Sequence, residues 1–225
     1  MKKTIALILI LCLMLAGCVK ETQVAVTPET APETTVAAET TVAANVVYPL
    51  PDSAMENMTD AVLSVSLEEG DAYVDDTGKM QMDVTVYTYD KYDMVDISML
   101  KVGDTLITHA GDVEITSLET KGSGTILING GLDGNGFDLV TDESGVFYEC
   151  GYNDSKNWYK VGEATIRVSA DFVYHDTSDL EAGEILYYPG SFLVGEVTDY
   201  NFTPFNTTIR IEDGQIIEMH RRYVP

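Results

Sequence analysis

The chain has 225 residues, with 37 acidic against 13 basic side chains and a formal charge of −24. Such a surface repels nucleic-acid phosphates and anionic lipid headgroups, whose affinity for proteins comes largely from Lys and Arg. It leaves neutral glycans, basic peptides and divalent cations as admissible partners, and in its plainest reading it keeps a domain soluble.

Met1, Lys2 and Lys3 open the chain, an apolar run covers Ile5 to Leu15, and Ala16, Gly17 and Cys18 follow. A positive start, a hydrophobic stretch of about ten residues and small residues at its end describe a secretory signal. The stretch is too short for a membrane-spanning helix, which needs about 20 apolar residues. Leu15-Ala16-Gly17-Cys18 resembles the lipobox of bacterial lipoproteins. That resemblance implies a thioether-linked diacylglycerol on Cys18, removal of residues 1–17, and anchorage on the extracytoplasmic face of the cell membrane. Two acyl chains, at about 0.8 kcal/mol per buried methylene, hold a protein where one does not. Cleavage takes away Lys2 and Lys3 and no acid, leaving 11 basic against 37 acidic side chains. Cys12 leaves with the signal and Cys18 carries lipid. Cys150 then has no intramolecular disulfide partner, so the fold must rest on its own core.

Residues 18–47 read as a lipidated cysteine followed by a disordered tether. Thr-Pro-Glu-Thr and Ala-Pro-Glu-Thr are followed by Glu33-Thr34-Thr35-Val36-Ala37-Ala38, repeated at once as Glu39–Ala44. With no aromatic residue and only scattered valines, such a segment buries too little surface to offset its ordering entropy. Residues 48–225 are ample for one domain and short for two.

From Tyr48 on, the pattern is alternation. Leu63, Val65 and Leu67 face away from Val62, Ser64 and Ser66, and Met80, Met82, Val84 and Val86 share one face. Val113 with Ile115, Ile126 with Ile128, and Ile209 with Ile211 repeat the period of two, the strand signature. Turns interrupt at Asp76-Thr77-Gly78, Gly103-Asp104, Gly111-Asp112, Lys121–Gly124, Asn129-Gly130-Gly131 and Asp213-Gly214. The last, between Thr207–Ile211 and Ile216–Arg221, predicts a hairpin whose turn needs positive φ at both central residues. Leu100–Leu106 reads as a tight turn entering a small-barrel strand. Short helices are expected around Asp52–Asp60, around Lys91–Leu100 and just after Pro189. Many short strands between frequent turns predict an all-β fold, an antiparallel sandwich or partly open barrel with a few short helices.

Few residues point to chemistry. Ser98-Met99-Leu100-Lys101 matches the Ser-x-x-Lys of penicillin-binding enzymes but lacks their companion elements. His109, Cys150 and Arg167 follow the chain order of the sortase triad, in which thiolate, imidazole and guanidinium act together. Here, however, the Thr-Leu-x-Thr-Cys strand of sortases is replaced by Val146-Phe147-Tyr148-Glu149-Cys150. Glu149 beside the sulfur disfavours a thiolate, and Cys150 reads as a small apolar strand residue. Asp133–Val140 is similar to a single calcium-binding nonapeptide of the repeat-in-toxin type, yet that motif works by stacking and only one copy occurs. It reads as a glycine-rich connection with solvated acids. His109, His175 and His220 show no ligand spacing, and His175-Asp176 with Asp171 and Asp179 reads as an acidic loop.

Aromatic residues are more suggestive. Tyr148, Tyr152, Trp158 and Tyr159 surround the Asn153–Asn157 loop, and Tyr187, Tyr188 and Tyr200 lie in a second irregular stretch. Rings beside Asn and Asp can stack on sugar or peptide while amides bond hydroxyls. The expectation is a membrane-anchored surface lipoprotein, held through Cys18. Its folded part is a non-catalytic binding or envelope-accessory module for a glycan, peptide or protein ligand, without nucleic acid. No catalytic residue, cofactor or metal ligand is assigned. The alternative is a cell-envelope enzyme, a Cys150 thiol transpeptidase or a carboxylate hydrolase acting on wall polymers.

Overall fold

The alternating stretches form strands in a computed structural model that describes residues 43–224, with Asp154 described by its backbone alone. The signal peptide, Cys18 and the tether up to residue 42 lie outside the described residues. In chain order the strands are β1 (Val46–Val47), β2 (Ala61–Ser66), β3 (Ala72–Val74), β4 (Met80–Thr88) and β5 (Lys91–Tyr92). After helix α1 (Met94–Ser98) come β6 (Thr105–Thr108), β7 (Gly111–Glu114), β8 (Leu118–Thr120), β9 (Ile126–Ile128), β10 (Phe137–Thr141) and β11 (Phe147–Cys150). The last group is β12 (Tyr159–Thr177), β13 (Ile185–Tyr187), helix α2 (Pro189–Leu193), β14 (Thr207–Glu212) and β15 (Gln215–Arg222). Single 3₁₀ turns at Leu132–Gly134 and Tyr152–Asp154 precede β10 and β12.

Strands β14, β2, β4 and β12 lie side by side, each antiparallel to the next, the spatial order of a Greek key. β15 then pairs antiparallel with β14 and parallel with β12, closing a ring of five strands. A five-stranded, partly open Greek-key barrel is the OB-type architecture. On β12 the register against β15 shifts between Val168 and Val173. Leu63, Val65, Met82, Val84, Val86, Ile209 and Ile211 point inward as their alternation requires, with Phe192 of α2 and Phe202 packed into the same core.

Between β4 and β12 the chain makes a long excursion, residues 89–158, that leaves from Thr88 and returns at Tyr159, its direct partner. The excursion builds a second core. Sheet β1-β6-β7 and sheet β5-β11-β10-β9-β8 enclose Val47, Tyr92, Leu106, Ile115, Ile128, Leu139 and Phe147. Asn129 fastens the corner between β7 and β8. Its side-chain oxygen accepts from the Thr116 and Ser117 amides and its nitrogen donates to the Glu114 carbonyl.

Several expectations are corrected. The tether cannot extend to residue 47, because Val46 and Val47 pair with Thr105 and Leu106 of β6 and Val47 fills the second core. The fully buried Asp104 fixes this start by accepting from the Asn45 amide at 2.8 Å. No helix forms over 52–60. Asp52 caps Ala54, but only one turn follows, closed by bonds to the Ser53 carbonyl. Leu100–Leu106 does turn into a strand, with Gly103 at φ 94°, but that strand is β6 of the excursion and not a barrel strand. The all-β, partly open barrel with short helices is as expected, and within it the pairs β12–β15 and β1–β6 run parallel. The expected hairpin is present, with Asp213 and Gly214 at φ 49° and 70° between β14 and β15.

Candidate functional site

Where the excursion rejoins the barrel, aromatic side chains from three segments converge. Thr88 and Asp90 are buried, so alternation turns Tyr89 between them to the opposite face. Tyr148 of β11 and Trp158 meet the Tyr89 ring edge-on, at centroid distances of 5.6 and 4.9 Å. Lys156 is delivered into this group by an isolated bridge to Cys150. Its ammonium donates to the Tyr89 hydroxyl at 2.9 Å and lies 4.2, 5.2 and 5.8 Å from the Tyr89, Tyr148 and Trp158 rings. A cation boxed by ring faces gains roughly 0.5–2 kcal/mol, depending on desolvation. Lys91 stands 4.9 Å from the Tyr89 centroid.

The loop before Lys156 is tied tightly. Gly151 donates to the Ser155 carbonyl at 2.7 Å, the Ser155 hydroxyl donates to the Tyr152 carbonyl, and Asn153 takes a left-handed φ of 59°. The tie leaves Tyr152 69% exposed. Three adjoining cavities use Lys156 and Trp158 as walls. One of about 460 Å³ is bounded by Tyr87, Tyr89, Lys91 and Tyr159. Another of about 450 Å³ runs between Tyr152, Phe205, Arg222 and Tyr223. The third, about 240 Å³, reaches Thr208 and His220. Asp52 and Asp60 border the first, whereas among the described residues no carboxylate lines the other two. Among the described residues, Lys156 and Arg222 thus give these two cavities a basic lining in an otherwise acidic chain.

Beneath the trough, Tyr159 donates to Asp90 at 3.0 Å. Burial, then the Asp90 charge, push the Tyr159 phenol above its ordinary range, so it remains a neutral donor. The other Asp90 oxygen accepts from the His109 backbone amide at 2.7 Å and lies 3.1 Å from Nδ1 of its ring, which stacks on Tyr159 at 4.2 Å. This arrangement holds ring positions rigidly; it does not present a nucleophile.

The remaining predicted residues separate. Cys150 is buried at 3% exposure, and its thiol donates to the Gly151 carbonyl. Cys150 and Tyr148 share one face of β11 while Glu149 takes the other. It is Glu149 that couples electrostatically to His109. Arg167 sits exposed on β12 opposite Gln81 and Gln215. Ser98 closes α1 instead of opening it and donates to the Val95 carbonyl, while Lys101 lies 3.8 Å from Asp104. In the 133–138 loop, Asp138 accepts from the Leu132 amide, and neither acid belongs to a converging group of three ligands. Tyr187 stacks on buried Tyr174 and Tyr200 meets Phe202 edge-on, so both serve the barrel core; Tyr188 is exposed.

Two histidines that lie far apart in the sequence do come together. His175 of β12 and His220 of β15 are register partners, stacked with centroids 4.5 Å apart and planes 8° from parallel. They were illegible because their proximity comes from a parallel pairing of distant segments. A period-two reading of Glu218 and His220, which places both on one strand face, is the only sequence signal that leads toward them.

Comparison with known proteins supplies no relative: no family model, no curated protein and no solved structure matches the chain.

Proposed function

We propose that the chain is a membrane-anchored surface lipoprotein, held by lipid on Cys18, whose folded part is a non-catalytic binding module for a glycan. The observation that carries the binding reading is the Lys156–Trp158 wall shared by three cavities, a trough lined by rings and cations, with Asp52 and Asp60 at the first. Rings present flat apolar faces on which sugar C–H surfaces stack, at low conformational cost. Tyr and Trp hydroxyl and indole groups, with Asn57 and Asn153 nearby, supply directional bonds to hydroxyls. Lys156 and Arg222 add charge-assisted bonds to any carboxylate or phosphate substituent. The Arg222 guanidinium is already oriented by the Phe205 carbonyl at 3.3–3.4 Å. The burial of Cys150, and its position on β11 while Arg167 lies exposed on β12, weigh against the transpeptidase.

Titration calorimetry of wall-polysaccharide fragments against the full chain tests this. Trp158→Ala and Lys156→Ala should each weaken binding at least about tenfold, equivalent to about 1.4 kcal/mol. Tyr73→Ala, outside the trough, should bind as the wild type does. Equal affinity of all four proteins removes the trough as the binding site.

A further inference from the structure

We propose that His175, Glu218 and His220 form a site for a borderline divalent metal ion, zinc above all, on the outer face of the barrel. Barrel geometry explains why the three meet. Met219 and Tyr174 point into the core and are fully buried, so alternation turns Glu218 and His220 outward on β15, and His175 outward on β12. The parallel register places His175 directly beside His220, and Val173 beside Glu218.

The spacing of the donor atoms fits a metal. Glu218 Oε1 lies 3.3 Å from His175 Nε2 and 3.1 Å from His220 Nε2, and all three atoms fall within 4.8 Å of one another. Tetrahedral zinc, with ligands at about 2.0–2.1 Å, separates neighbouring ligand atoms by about 3.3 Å. Two imidazoles and one carboxylate favour zinc, copper or nickel over calcium and magnesium, which take oxygen cages. Three protein ligands leave a fourth position to water or to a ligand atom.

Outer partners orient the donors. Glu184 Oε1 stands 2.8 Å from His175 Nδ1, the carboxylate–histidine arrangement that holds a metal-binding imidazole in the tautomer with its Nε2 lone pair outward. In that tautomer, Nε2 and Glu218 Oε1 are two acceptors facing each other at 3.3 Å, a contact that a cation between them converts from repulsion to attraction. Arg210 donates to Glu218 Oε2 at 2.7 Å and so leaves Oε1 as the single coordinating oxygen. Among the described residues this is the one group of three such ligand atoms that converge. The site does not depend on the trough for its ligands, although His220 also borders the trough's third cavity.

Cobalt and zinc titrations of the full chain decide the matter. Cobalt should give the visible absorption of a four-coordinate ion at one equivalent, and zinc should displace it, whereas millimolar calcium should not. His175→Ala and His220→Gln should each weaken binding at least about tenfold, and Glu184→Gln should weaken it by about 10–100-fold as an outer partner does. His109→Ala should bind as the wild type does. His220 is half-exposed, so its replacement leaves the fold intact, as an unchanged circular-dichroism spectrum verifies. Zinc binding that survives both His175→Ala and His220→Gln, or no saturable cobalt signal in the wild type, overturns the assignment.

Discussion

Glu149 is drawn in opposite directions by its surroundings. Burial raises its carboxyl above the ordinary range, and the Asn157 amide and nearby His109 only partly offset this. A carboxyl with a raised folded value contributes most at pH below its unfolded value, and that contribution disappears as pH climbs through the folded one. Glu149→Gln should therefore gain on the wild type as pH rises from below the carboxylate range toward neutral. Urea denaturation at a series of pH values measures this; a gap that stays constant with pH contradicts it. Asp176 and Arg221 show the opposite balance. Burial opposes the charge on Asp176, but paired bonds from Arg221 at 2.6 and 3.2 Å outweigh it and hold the carboxyl low. Neither balance is visible in the sequence, where each is one acid among 37.

The strands themselves were legible, because alternation of apolar residues is a local property and each inward face needed only one neighbouring sheet. The β14–β15 hairpin was legible for a different reason, since Asp-Gly is chosen by the backbone angles of the turn itself. The glycine-rich stretch from Asp133 was legible as a connection, because clustered glycines favour a tight corner. Its geometry shows what the glycines are for. A Cβ on Gly136 would sit 1.8 Å from the Ile128 carbonyl oxygen and 2.8 Å from that of Asn129. Gly136→Ala should then cost about 3 kcal/mol or more, since backbone and not a flexible side chain must yield. Gly122, with nothing within 4 Å of its added Cβ and no left-handed φ, should accept alanine within about 0.5 kcal/mol. Thermal denaturation of the pair separates close packing from simple turn preference.

For the whole molecule, the amino-acid order indicates an all-β fold but not which strands are neighbours, and the candidate sites depend on neighbours. Tyr152, Trp158 and Tyr159 were already adjacent in the chain, so half the trough could be read directly. Tyr89, Phe205 and Arg222 join them only through pairing across the barrel. The row of partners His175, His220, Thr208, Ser64, Tyr87 and Lys160 crosses from β12 through β15, β14, β2 and β4 back to β12. Three strand spacings, about 14 Å, thus separate His220 from Tyr87 at the aromatic end. On the proposed anchorage, Cys18→Ala should leave the leader uncut and the chain without fatty acid, as intact-mass spectrometry would register. A normally processed, unlipidated product would refute the anchor while leaving the barrel untouched.

Thr88 and Tyr159 face each other on a single rung, so the 89–158 detour departs and returns through one doorway in the wall of the barrel. Lengthening or shortening the detour shifts no register in the five strands, which see the same two residues at the threshold. The rings on that threshold can therefore be redrawn by drift in the detour while the cylinder beneath stays as it is, so that, on the proposed function, one scaffold has a means of changing what it holds.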